Sequence, residues 1–235
     1  KRFVVGETAI SNASRPIKEK EAALALENEI EFTELEVAFD GLSVIVNKSN
    51  DWIECITTEE LNSIWDQGSD INNWNQVRSD FPDVEMNLYG PGTDSGTFDY
   101  FTHVINGEEG KTRSDYTPSE DDNVLVMGVS GDKGSIGYFG YAYYIENADK
   151  LKVLSVDDGT GCIAPSEDTI NDGTYLPLSR PMYIYVNNSE LIKTEVYEFV
   201  KFYLENGVML ANEGGYVGLP ETNYQESLSI ISMYK

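Results

Sequence analysis

The chain has 235 residues, 40% of them hydrophobic with 15 Tyr and 9 Phe, enough for a buried core in one large domain or two smaller lobes. Forty-one acidic residues against 16 basic ones give a formal charge of −25. That balance argues against nucleic acid, whose phosphates bind basic surfaces, and against an anionic membrane surface.

In chain order, the opening FVV reads as a strand, with no secretory signal ahead of it. GETAISNASRPI (6–17) reads as the end of a strand and a turn, with Pro16 keeping Arg15 extended. KEKEAALALENE (18–29) is a run of helix formers. In LEVAFDGLSVIVN (35–47) two strand segments are predicted, broken at Asp40-Gly41. TTEELNSIW (57–65) carries a capping box, Thr57 with Glu60, and places Leu61, Ile64 and Trp65 on one helix face.

Residues 67–83 are loop-rich, with Trp74 as a packing anchor. VEMNLYG (84–90) alternates like a strand and TFDYFTHVI (97–105) has helical spacing. SEDDNVLVMGVSGD (119–132) reads as a helix with acids in its first turn, where the helix dipole favours them. GSIGYFGYAYYIEN (134–147) reads as a glycine-interrupted strand, and 151–156 as a short one. A loop-rich stretch (157–178) holds one helical turn at PSEDTI. RPMYIYVN (180–187) reads as a strand and EVYEFVKFYLENG (195–207) as an amphipathic helix stopped by glycine. Strands alternating with helices make the class α/β. No run of 18 apolar residues is present.

The chemistry concentrates in LYGPGTDSGTFDYF (88–101), a strand, a glycine- and hydroxyl-rich turn and a helix start. The first N–H groups of a helix are unpaired and sit at the positive end of its dipole, which makes such a turn an anion site. Gly96 allows close backbone approach, and Ser95 and Thr97 add hydroxyl donors. Asp94 would repel a fully ionised anion but can accept a hydrogen bond from a protonated one such as hydrogen phosphate; its other reading is a helix cap. Among five arginines, Arg15, beside Ser14, can offer a bidentate guanidinium to an anion. Surface ion pairing is the other reading for Arg15, and more so for Arg113 and Arg180. His103, the one histidine, falls on the helix after the turn as an exposed residue. No metal site, cofactor site or catalytic triad is visible in the spacing. Cys55 and Cys162 lack the spacing of a zinc or redox motif. They read either as buried thiols or as one disulfide, which would stabilise the fold by ~4 kcal/mol.

Taken together, GETAISNASRPI, VAFDGLSVIVN, TTEELNSIW, YGPGTDSGTFDYF, SEDDNVLVMGV, GYFGYAYYIEN, PLSRPMYIYVN and GYVGLP resemble the periplasmic phosphate-binding proteins of ABC transporters. The similarity is greatest to the cyanobacterial-type branch and runs, in order, over nearly the whole chain. Both cysteines lie in segments that resemble the family, and a disulfide between them is the reading carried forward. The resemblance implies a two-lobed Venus-flytrap fold of type II, with a central sheet in each lobe flanked by helices. Lobe I would be 1–39 plus 181–235, lobe II 40–180, with hinge strands near 38–46 and 178–186. It implies phosphate binding at Ser95, Gly96 and Thr97, to which the reading of the residues themselves adds Ser14, Arg15, Asp94 and Arg113 as the expected site. The family's Ser-Gly-Thr is matched at 95–97, but the arginine that usually precedes it is replaced by Gly-Pro-Gly-Thr-Asp. The carboxylate usual after Ala-Ser is replaced by Arg15, as though the two charges had exchanged lobes. The family's opening strand and hydroxyl loop have no counterpart, so this chain is expected to start about one strand-helix-strand unit late. The implied function is phosphate capture for a membrane permease by a monomer in the periplasmic or extracellular space, without catalysis. The other readings are a phosphate-responsive extracellular or structural protein and, behind it, a phosphatase on the same scaffold.

Overall fold

The computed structural model describes residues 2–235. The chain divides into two compact units, Lys1–Asp40 with Arg180–Lys235, and Gly41–Ser179. Each is an α/β body with its own core.

The first unit opens with a 3-10 turn at Phe3–Val5, not the strand that FVV suggests. Phe3 and Val4 turn inward there, and the Phe3 ring meets Phe32 and Tyr185. Strand β1 (Ile10–Ala13) and helix α1 (Glu19–Glu27) follow. Strand β2 runs unbroken from Phe32 to Asn47 and carries the chain into the second unit. The break expected at Asp40-Gly41 is absent for two reasons. Asp40 stays in the strand because Arg180 pairs with its buried carboxylate at 2.9 Å. Gly41 fits there because it has no Cβ, which would come within 2.4 Å of the Ile170 side chain packed against the strand.

The second unit continues with β3 (Cys55–Thr57) and α2 (Thr58–Trp65). The Thr57–Glu60 capping box forms as its spacing requires, and Leu61, Ile64 and Trp65 are buried. After the short α3 (Trp74–Val77), in which Trp74 is fully buried, come β4 (Asn87–Pro91) and α4 (Gly96–Asn106). Next are β5 (Thr117–Ser119), α5 (Asp122–Gly131) and β6 (Ser135–Gly140). The rest of the stretch expected as one long strand is instead helix α6 (Tyr141–Glu146), which Gly140 starts with extended backbone. Strands β7 (Leu151–Val153), β8 (Ser155–Asp157) and β9 (Cys162–Ile163) precede α7 (Glu167–Asn171). In the main sheet of this unit β2 pairs antiparallel with β6, and β4 lies parallel between β6 and β5. Trp65 packs edge-on against Phe101, Tyr116 and Tyr138 in its core. A second small sheet has the order β3-β8-β9. Cys55 on β3 and Cys162 on β9 form a disulfide, which settles the two readings of the cysteines.

Strand β10 (Ser179–Asn187) returns to the first unit and pairs antiparallel with β1, Ile10 opposite Val186 through Ala13 opposite Tyr183. Four helices follow: α8 (Asn188–Leu191), α9 (Thr194–Glu205), α10 (Gly207–Glu213) and α11 (Glu221–Ile231). Gly207 begins α10; it does not merely stop α9. A Cβ on it would strike the Tyr224 ring at 2.1 Å, so its absence lets α10 approach α11. Leu35, Ile184, Val186, Val200, Leu204 and Ile231 form the middle of this unit's core. Among the described residues no helix is long and apolar enough to cross a membrane.

Candidate oxyanion site

In the second unit the hydroxyl-rich turn lies at the carboxyl end of β4, a parallel strand flanked by two others, where α/β folds place their ligands. The Ser95 N–H donates to the Gly92 carbonyl at 3.2 Å and closes the turn. Ser95 is the cap of α4: its Oγ accepts the Thr97 N–H at 3.2 Å. Asp94 is therefore not the cap, and that reading of it falls. Its carboxylate is exposed, and its N–H donates to Glu120 Oε1 at 3.3 Å. Gly96 is exposed while Ser95 and Thr97 are half-buried.

The helix behind the turn is held rigidly. Phe98 and Phe101 are buried, and Phe101 stacks on Tyr138 at 3.7 Å. The Tyr100 hydroxyl reaches the carbonyls of Pro177 and Ser179 at 2.6 and 2.8 Å. His103 is exposed on the same helix. So α4 presents its first turn from a fixed body, as an anion site on a helix end needs.

Arg113 lies deeper in this unit. Its residue is 5% exposed, which rules out a surface ion pair. Nε and Nη2 bind the two oxygens of Asp115 at 2.6 and 2.8 Å, while Nη1 donates to the carbonyls of Ile64 and Ile71 at 3.0 and 2.6 Å. The guanidinium is committed to holding the α2–α3 connection, which departs from the phosphate contact expected of it. The residue still lines, with Gly92, Thr93, Phe98 and Glu120, a cavity of about 560 Å³ beside the turn. Close by, burial and the neighbouring Asp121 and Glu120 carboxylates push the Asp122 carboxyl up to about 6.

In the first unit Ser14 and Arg15 form the bend after β1 and line a cavity of about 290 Å³ with Asn12, Glu21 and Tyr185. Arg15 donates from Nη1 and Nη2 to the two oxygens of Glu21 at 2.9 and 3.0 Å. The same carboxylate accepts the Lys18 N–H at the start of α1 at 3.0 Å. The Arg15 hydrogen bonds, with that amide, hold the Glu21 carboxyl down to about 2. The ion pair allowed for Arg15 therefore exists, and it also orients the guanidinium: the side chain is 46% exposed and the cavity wall includes it. Sequence reasoning missed Glu21 and Glu120 as neighbours of the site. Glu21 carried a signal, since it stands three residues into a helix whose start was expected. Arg180, read as a surface pair, is largely buried on Asp40. Burial pushes the Asp40 carboxyl up against the pull of that guanidinium.

Residues 1–206 match the family described as a PBP superfamily domain. The chain is 47% identical over 227 residues to Protein SphX of Synechocystis, covering 95% of this chain and 68% of that protein. It is 37% identical over 236 residues to the phosphate-binding protein PstS of Staphylococcus aureus MRSA252, covering 99% of this chain and 70% of that one. Among solved structures, a possible phosphate binding protein from Planctomyces limnophilus superposes with a TM-score of 0.91 at 45% identity, covering 99% of this chain and 83% of that one. An ABC-type phosphate transport receptor from Vibrio cholerae superposes with a TM-score of 0.70 at 26% identity, covering 92% and 81%. This chain belongs to the PBP superfamily, in the branch that SphX and the PstS phosphate-binding proteins represent.

Proposed function

We propose that the protein binds inorganic phosphate in the periplasmic or extracellular space and hands it to an ABC-type membrane permease, as a monomer and without turnover. The observation that carries this reading is the α4 turn. Ser95 caps a rigid helix at the end of a parallel strand, and Thr97, Gly96 and Asp94 stand around that helix end. Arg15 with Ser14 supplies the cationic and hydroxyl donors, and Arg113 supports the fold beneath the turn. The names of the relatives, phosphate-binding protein and phosphate transport receptor, support the same ligand.

Closure on the ligand is assigned to the two strands that pass between the units, β2 at Asp40–Gly41 and β10 at Ser179–Arg180. Calorimetric titration is the test. Phosphate is expected to bind tightly and sulfate weakly, and Arg15→Ala should weaken phosphate, by ~2–5 kcal/mol if the bound anion is buried against that guanidinium, the range for truncating one partner of a buried charge pair. Undiminished affinity in Arg15→Ala would remove Arg15 from the site.

A further inference from the structure

The second unit begins on β2 at Gly41 and ends at Ser179, the first residue of β10. These two ends are tied together inside the unit. Leu42 is held on both of its backbone groups: its N–H donates to the Leu178 carbonyl at 2.8 Å, and its carbonyl accepts the Tyr175 hydroxyl at 2.9 Å. Leu42, Tyr175 and Leu178 are fully buried, so water does not compete for these bonds. The Ser179 hydroxyl donates back to the Tyr175 carbonyl at 2.7 Å. Helix α4 then meets this knot through Tyr100. The Tyr100 hydroxyl bridges the carbonyls of Pro177 and Ser179, at 2.6 and 2.8 Å, the two residues that flank Leu178. Phe98, Phe101 and Ile105 are the residues that α4 buries in the core. Tyr100 is only half-buried, and it stands one helical turn beyond Gly96 and Thr97, on their side of the helix.

We propose that Tyr100 is a positioning residue for anion binding: its hydroxyl couples the first turn of α4 to the two strand crossings, so that an oxyanion held at the turn steadies both of them. The proposal rests on the reading of the α4 turn as the phosphate site. The body of α4 is fixed by its packing, whereas the first N–H groups of a helix have no partner within it and its end is the part that frays. An anion that accepts those groups holds the first turn in place, and with it the residue one turn on. Through Tyr100 that order reaches the carbonyls of Pro177 and Ser179, and through Leu178 and Tyr175 it reaches Leu42. Coupling between two sites is reciprocal, so crossings steadied by the anion tighten the anion by the same factor. Phenylalanine at position 100 keeps the ring and removes the bridge to both carbonyls.

The test is amide hydrogen exchange of the full chain with and without saturating inorganic phosphate, in the wild type and in Tyr100→Phe, read by mass spectrometry. In the wild type, phosphate is expected to slow exchange at residues 95–99 and also at 41–44 and 178–180. In Tyr100→Phe the slowing at 95–99 should remain, while that at the crossings is lost. Phosphate affinity, measured by calorimetry, should fall about fivefold, the low end of couplings between sites. A tyrosine that only props up the fold would loosen the crossings equally with and without phosphate. The assignment of Tyr100 is therefore overturned if the effect of phosphate at the crossings survives in Tyr100→Phe. It is overturned as well if phosphate slows the turn of the wild type and leaves its crossings unchanged; the phosphate reading then stands. A wild type that neither binds phosphate nor slows at 95–99 overturns the phosphate reading itself, and the proposal with it.

Discussion

Arg113 and Asp122 are both charged residues of the second unit, and burial acts on them in opposite ways. Arg113 brings its positive charge inside but leaves few of its donors unmet, since two carbonyls and a carboxylate receive them. Replacing it with leucine strands the carbonyls of Ile64 and Ile71. Arg113→Leu should therefore lower stability by ~3 kcal/mol, measured by urea unfolding, because buried acceptors left unsatisfied cost their full desolvation. Phosphate affinity measured well below the unfolding midpoint should change little, which would mark Arg113 as support. Asp122 is less well served. Its carboxyl, raised to about 6 chiefly by burial, binds a proton more readily in the folded protein than in the unfolded chain. The folded state thus holds more protons between about pH 4 and 6, and stability falls as pH rises through that window. Asp122→Asn should raise stability by ~1 kcal/mol at pH 7, a figure reduced for its partial exposure. The gain should vanish near pH 4, and equal gains at both pH values would show that ionisation is not the cause.

Among the elements, the small β3-β8-β9 sheet has little area of its own, and its outer strands are joined by the Cys55–Cys162 disulfide. The bond closes a separation of 107 residues, most of the second unit, so its loss should be felt well beyond the sheet. The double variant Cys55→Ser/Cys162→Ser is expected to lose ~4 kcal/mol in urea unfolding, since cross-linking so long a loop removes much of the unfolded chain's freedom. A change under ~1 kcal/mol would show that the unfolded state keeps this region together without the bond. Elements like α2 and α4 were legible in the sequence because their signals are local: a capping box at Thr57–Glu60 and apolar residues on one face of each helix. The misses have tertiary causes. Residues 134–147 look like one aromatic strand, yet the strand ends at Gly140 and a helix follows, with Tyr141 buried. Asp40-Gly41 looks like a break until Arg180 and Ile170 arrive from distant segments. The site divides in the same way. The donors at 95–97 follow from spacing, whereas Glu120 meets the turn only through the β4–β5 register, which no single segment encodes.

At the scale of the whole molecule, a protein of formal charge −25 is proposed to capture an anion. Local donors can hold the ligand, because helix-end amides and a guanidinium act over a few ångströms, where the ligand displaces solvent. The approach is a different matter. At ~0.01 M ionic strength the Debye length is ~30 Å, comparable to the size of a lobe, so an incoming phosphate feels the summed repulsion of the surface. At ~0.15 M it is ~8 Å, and only nearby charges count. Association should therefore speed up with added salt, the reverse of what basic, electrostatically steered binders show. Stopped-flow measurement from ~0.01 to ~0.15 M sodium chloride, at constant pH, should find the association rate rising roughly threefold or more. Dissociation, governed by the short-range contacts that hold the bound anion, should move much less. A rate that falls with salt would mean that the potential at the site mouth is positive despite the net charge, with Arg15 dominating the local field.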